Sequence, residues 1–159
     1  MPLLLKNRKL MELDKFDRLI VESLHHNARL SGAELARRVN LSAPAVAERL
    51  HKLERAGVIR GYQAVLDPEA LGSPIQCLIE LTLARADYLH AQNTLAGLPE
   101  LLECHRVTGD IAVVLKAAVR SMSHLQALIE RLSNLGSTKT SIILSSPFSG
   151  RMPPWPDAG

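Results

Sequence analysis

Apolar residues recur at three- and four-residue spacing from Leu13 to Leu53 and alternate one on, one off from Ile75 onward. A helical front half and a strand-bearing back half are therefore expected. Asp14 is placed to cap a first helix, with Asp17 at its third position and Phe16, Leu19, Ile20 and Leu24 forming a stripe that ends near Asn27. Ser31 and Glu34 have the spacing of a reciprocal capping box, so a second helix starts there. It turns Leu35, Ala36 and Val39 inward, leaves Arg37 and Arg38 outside, and stops at Asn40, a residue that tolerates the left-handed conformation. Ser42 opens a third helix, with Pro44 where a missing amide hydrogen costs nothing. Two capped helices separated by Asn40 and Leu41 spell a helix-turn-helix over residues 32–51.

At 100° per residue, Val46, Leu50, Leu53 and Gly57 share the inner face of the third helix. Pro44, Ala45, Glu48, Lys52 and Arg55 point outward, and Arg49 sits at the flank. A short side chain such as Ala45 permits close approach to base edges, and Arg49 and Lys52 have the reach for guanine or phosphate oxygens. The competing interpretation is a solvated helix face whose Glu and Arg or Lys residues pair with one another. The paired caps, the short turn and the charge distribution favour a reading helix.

Gly57 closes that helix, and residues 58–66 alternate around Gly61 like a short two-stranded wing or a strand leading onward, until Asp67-Pro68 breaks the pattern. The expected first domain is 13–67, preceded by a basic arm (1–12) and followed by a linker (68–74). In the second domain (75–145), Ile75, Cys77, Ile79, Leu81 and Leu83 face one way and Gln76, Leu78, Glu80 and Thr82 the other. A helix over 87–97, a strand over 101–107, a hairpin turn at Thr108-Gly109-Asp110 and a strand over 111–119 come next. Ser121 caps a helix with Met122, Leu125, Leu128, Ile129 and Leu132 inward, closed by Gly136, and a last strand spans 138–144.

The order βαββαβ predicts a ferredoxin-like unit and, for the whole chain, an α+β class. The sheet's open face would carry Leu78, Ala112, Val114, Ala118 and Ile143 with Thr82 and Lys116, too apolar to face water, so a twofold homodimer is expected. Such a dimer would present two reading helices to half-sites on duplex DNA. Residues 146–159 look like an unstructured tail, with Trp155 a candidate for docking on a neighbour.

Charge sharpens this division. Through Leu66 there are 12 Lys and Arg against 7 Asp and Glu, net +5; the remainder has 7 against 9, net −2. Only the front half is built to meet a polyanion. Cys77 and Cys104 fall in apolar strand-like runs and are expected to be buried, reduced thiols. The six histidines lack metal-ligand spacing, so neither a metal nor a cofactor is expected. With no run of about 18 apolar residues and no secretory leader pattern, the chain is expected to be soluble and cytoplasmic.

The chain resembles the Lrp/AsnC, or feast/famine, family of transcription regulators. The resemblance is carried by Leu13-Asp-Lys-Phe-Asp-Arg18, Arg29-Leu-Ser31, Ala33-Glu-Leu-Ala36, Val39-Asn-Leu-Ser42, Arg49, Leu53-Glu54, Gly57-Val-Ile-Arg-Gly-Tyr62, Ala64-Val-Leu-Asp67, Cys104-His-Arg-Val-Thr-Gly-Asp110 and Thr138-Lys-Thr140. It implies a winged helix-turn-helix joined to a domain of the kind called RAM, which dimerises through its sheet and often assembles further, to octamers. It also implies an amino-acid effector bound between dimers, near Thr108, Gly109, Asp110, Thr138 and Thr140. Asn40 stands where Gly is frequent, Ser137 where Val is usual, and Ala112 where many members carry Asp or Asn, which removes a group suited to a ligand's α-amino end.

The expected function is sequence-specific binding of double-stranded DNA. Arg49 and Lys52 are assigned to bases or phosphates, Ala45 and Glu48 to the reading face, Ser42 to a phosphate, and Arg37, Arg38 and Arg60 to the flanking backbone. The alternative is an enzyme resembling siroheme decarboxylases, which share this two-domain layout. In those the segment after the wing carries His in place of Asp67 and Arg-Arg-Phe-Gly in place of Arg60-Gly-Tyr-Gln63. With no nucleophile and base pair and no phosphate loop in the sequence, catalysis is not expected.

Overall fold

The computed structural model describes residues 11–84, 88–110 and 112–156. They fall into two compact units, residues 11–65 with 152–156, and residues 66–151. The first holds three helices, α1 (Lys15–His26), α2 (Gly32–Val39) and α3 (Ala43–Arg55). Each begins where a side chain can accept a first-turn amide. Asp14 accepts from the Phe16 and Asp17 amides, and Asp17 returns the bond to the Asp14 amide. Ser31 and Glu34 form the same reciprocal box, and Ser42 accepts from the Ala45 amide. Asn40 ends α2 at φ 55°, ψ 50°, in the left-handed region that Asn reaches at modest cost. Ile20, Leu24, Leu35, Ala36, Val39, Val46 and Leu53 form the shared core.

Gly57, at φ 69°, ends α3 as expected, and the Val58 and Ile59 amides fold back onto the Leu53 carbonyl. Residues 58–66, expected as a short two-stranded wing or a strand leading onward, pair with no strand among the described residues of the chain, and residues 60–67 hold none. Instead the Tyr62 hydroxyl donates to Glu54 at 2.8 Å, and the alternation around Gly61 leaves Val65 and Leu66 exposed. Alternation supplies a strand only where a second strand is available to satisfy its amides, and none pairs here among the described residues.

In the second unit the elements are β1 (Ile75–Leu83), α4 (Tyr88–Ala96), β2 (Leu101–Arg106), β3 (Val113–Val119), α5 (Met122–Ser133) and β4 (Gly136–Ile142). The four-stranded antiparallel sheet has the order β2-β3-β1-β4. Cys77, Ile79, Leu81, Val113, Leu115, Ala117 and Val119 pack under α4 and α5 with Leu95, Leu125, Leu128 and Leu132. Three details depart from expectation. Met122 is exposed rather than inward. Cys104 is exposed, because β2 is an edge strand, whereas Cys77 is buried. Gly136 does not close α5, which caps at Asn134; it is the first residue of β4, opposite Leu83, where a Cβ would overlap the Thr82 carbonyl. Ile111 and the start of the helix expected at 87 lie outside the described residues.

The uncovered sheet face is more polar than the sequence implied. Register places Glu103 and His105 beside Lys116 and Val114, and Lys139 beside Glu80. Glu103 pairs with His105 at 2.9 Å and with Lys116 at 3.5 Å, and Lys139 with Glu80 at 3.8 Å. Leu78, Val114 and Ala118 run down its centre. An apolar strip bordered by charges therefore stands where a mostly apolar face with Thr82 and Lys116 was expected. No helix among the described residues is long and apolar enough to cross a membrane.

Candidate nucleic-acid interface

The helix-turn-helix presents what its caps dictate. Because Ser42 and Pro44 start α3 directly after the left-handed Asn40, the first turn of α3 stands clear, with Ser42, Ala43 and Pro44 exposed. Glu48, His51, Lys52 and Arg55 continue the exposed face, and Arg37, Arg38 and Arg60 are exposed nearby in sequence. Ala45 is half-buried, at the edge of that face. His51, which was not singled out from the sequence, lies on the outer face between Glu48 and Arg55 and reaches Glu54 at 3.6 Å. Helical spacing alone would have found it.

Arg49 has a different environment from the one its flank position implied. Its Nη1 donates to Asp17 Oδ1 at 2.6 Å and to Asp14 Oδ2 at 2.7 Å, and the guanidinium lies over the Phe16 ring, 5.3 Å from the centroid. Asp17 is fully buried, and Lys52 Nζ approaches its second oxygen at 3.5 Å while remaining half exposed. The hydrogen bonds that Arg49 donates to Asp14 and Asp17 raise its pKa. Asp14 in turn is held below the usual carboxylate range, first by the Asp17 amide and, against some desolvation, by Arg49. The clasp joins the N-terminus of α1 to the middle of α3. What hid it in the sequence is the separation of 32 residues between Arg49 and Asp17; the signal that could have found it is an Asp at the third helical position, too apolar a setting to be left unpaired.

The expected effector residues are not brought together within one chain. Thr108, Gly109 and Asp110 form the exposed turn between β2 and β3, with Gly109 at φ 98°. Thr138 and Thr140 lie on β4, at the other edge of the sheet, opposite Leu81 and Ile79. They are half-buried on the helix-covered side. Both sets sit at or toward the Leu81 end, yet β3 and β1 intervene, so roughly 14 Å of sheet separates the edge strands at about 4.8 Å per strand. A molecule of amino-acid size does not span that in a single chain. Among the described residues no group of three or more His, Cys, Asp and Glu is placed to hold a metal ion.

Residues 13–60 match the family model described as winged helix-turn-helix DNA-binding, and residues 76–153 the model described as Lrp/AsnC ligand binding domain. The HTH-type transcriptional regulator LrpC of Bacillus subtilis is 36% identical over 135 residues, covering 85% of this chain and 94% of that protein. Its solved structure superposes with a TM-score of 0.84, covering 87% and 99% of the two chains. The leucine-responsive regulatory protein of Escherichia coli is 37% identical over 146 residues, covering 87% of this chain and 89% of the other. A feast or famine regulatory protein from M. tuberculosis complexed with L-methionine is 33% identical with a TM-score of 0.82, over 89% and 98% of the chains. By sequence, by fold and by the helix-turn-helix that its caps create, this chain belongs to the Lrp/AsnC family of transcriptional regulators.

Proposed function

We propose that this regulator binds specific sites on double-stranded DNA as a homodimer, inserting the exposed first turns of α3 from two copies into successive major grooves. The observation that carries this is the freestanding start of α3, where Ser42, Pro44 and Glu48 are exposed and Arg37, Arg38, Lys52 and Arg60 supply positive charge around the turn. Ser42 meets a phosphate, the arginines flank the backbone, and the outer face of α3 meets base edges. The strip of Leu78, Val114 and Ala118, rimmed by Glu80, Glu103, His105, Lys116 and Lys139, supports sheet-to-sheet dimerisation: apolar centres with polar rims are how stable interfaces are built. Higher assembly, to an octamer, fits the same family. Action on DNA fits a cytoplasmic location, and the role is regulatory rather than enzymatic.

An amino-acid-like effector is the expected ligand, since relatives are solved with L-methionine. The separation of Thr108–Asp110 from Thr138 and Thr140 supports a site completed only by a second copy. The test is selection of bound fragments from sheared genomic DNA, then sedimentation of the protein alone and on the selected duplex. Two chains per duplex site and enrichment of a two-fold motif are expected; a monomer that enriches no sequence at low salt overturns the proposal.

A further inference from the structure

We infer that Arg49 is a positioning residue that sets the angle of the reading helix through Asp17, and that base edges are left to the outer face of α3 at Pro44, Glu48 and His51. The inference rests on the DNA-binding function proposed above and assigns the division of labour within that site.

Three observations on one side chain support it. First, the Arg49 Nη1 lies between two carboxylates, at 2.6 Å from Asp17 and 2.7 Å from Asp14. Second, the guanidinium rests over Phe16, and only 26% of the side chain is exposed. Third, Asp17 is fully buried, with its oxygens met by Arg49, by Lys52 and by the Asp14 amide. A bidentate contact to guanine needs the fork of the guanidinium facing outward. Drawing Arg49 out to make one would strand the buried Asp17 carboxylate, a loss larger than the gain from one bidentate base contact. Arg49 therefore stays on α1 when DNA is bound.

The geometry also says what the clasp does. Asp14 and Asp17 are the capping box of α1, so the charges that start α1 are the same ones that hold α3 at its midpoint. Arg49 and Lys52 lie three residues apart, one turn of α3, and both reach Asp17. Two cations from one helix on a single buried carboxylate fix rotation of α3 about its axis as well as its distance from α1. That rotation decides whether Pro44, Glu48 and His51 face a groove. Glu48, exposed, has the chemistry to accept from a cytosine amino group.

The experiment first enriches a preferred duplex with the wild-type protein from a random library; failure at that stage overturns the function proposed above and the inference with it, whereas the variant titrations that follow success bear on Arg49 alone. Arg49→Ala, Asp17→Asn and Asp14→Asn are then titrated against that duplex, its single-base variants and random DNA, with affinities corrected for the folded fraction. Arg49→Ala is expected to bind the preferred duplex at least about tenfold more weakly, corresponding to about 1.4 kcal/mol. Preference should flatten at all positions in proportion, the salt slope should not change, and Arg49→Lys should recover part of the loss. Asp17→Asn, which leaves the guanidinium in place, should reproduce the Arg49→Ala result. Should either variant fail to fold, Asp14→Asn decides, because Asn caps a helix as well as Asp and Asp14 is half exposed; it should show the same pattern, weaker. Loss of preference at one base pair only, wild-type binding by the folded fraction of Arg49→Ala, or wild-type binding by both aspartate variants overturns the inference.

Discussion

The indole Nε1 of Trp155 donates to Glu22 Oε1 at 2.7 Å, joining the C-terminal segment to α1 across 133 residues of sequence. The Arg18 guanidinium lies 5.3 Å from the ring centroid on the same helix. Residues 146–156 of the tail expected to be unstructured thus hold no helix or strand but do have a docking point, on α1 of the same chain. Trp155 is the one tryptophan in the sequence, so its emission reports this contact alone. Glu22→Ala should shift emission to the red and raise quenching by iodide; an unchanged spectrum counts against the contact.

The clasp predicts a stability effect apart from DNA. Removing Arg49 leaves the buried Asp17 with only Lys52 at 3.5 Å and an amide. Breaking a buried pair from one side costs about 3–5 kcal/mol, and the partial exposure of Arg49 places it toward the lower figure. Chemical unfolding of Arg49→Met should show a loss near 3 kcal/mol, against under 1 kcal/mol for the exposed Arg38→Met.

Gly136 offers a test of the sheet. A methyl group there would overlap the Thr82 carbonyl oxygen and crowd the Leu83 backbone, neither of which can yield without moving β1. Gly136→Ala should cost about 1–3 kcal/mol, whereas Gly97→Ala, where a Cβ meets only ordinary contacts, should be mild. Equal melting temperatures for the two variants would falsify the close approach.

Glu100 makes stability depend on acid. Its side chain is 9% exposed; burial opposes ionisation, but His124 Nε2 at 2.9 Å and Arg131, both on Oε1, outweigh it and hold the pKa down to about 2, against an ordinary 4.5. Because the folded value is the lower one, the contribution is complete above 4.5 and is lost as pH falls from there toward 2. Melting curves taken stepwise down this interval should fall more steeply for wild type than for Glu100→Gln; parallel curves would remove Glu100 from the account.

Arg37 and Arg38, exposed on the outer face of α2, are expected at the phosphate backbone. Each that neutralises a phosphate contributes about −0.9 to the slope of log affinity against log salt. Arg38→Ala should therefore lower the slope by about that amount on every sequence without altering which sequence is preferred. A change of preference would place Arg38 at a base instead.

The local half of this architecture was legible in the residue order. Asp14, Ser31 and Ser42 each start a helix by a bond to an amide two or three positions away, so the cause lies inside a short window of sequence. Asn40 and Gly57 end helices for an equally local reason, their tolerance of positive φ. Strand faces came from alternation, since successive side chains point to opposite sides, and the motif from Leu13 to Tyr62 pointed to the family. Partnership over distance was decided only by packing. Arg49, at the flank of α3, meets a buried carboxylate that α1 brings to it from 32 residues away, and Gly136 resembled a helix stop until β1 crowded it. The alternation after Gly57, which implied a wing or a strand leading onward, has no partner strand among the described residues of the chain, and the two effector motifs came to lie on opposite edges of one sheet. Sequence periodicity fixes which face a side chain takes; which charge or backbone stands opposite depends on how the elements meet, because a buried ion pair or a close backbone approach joins residues that no short window of sequence contains.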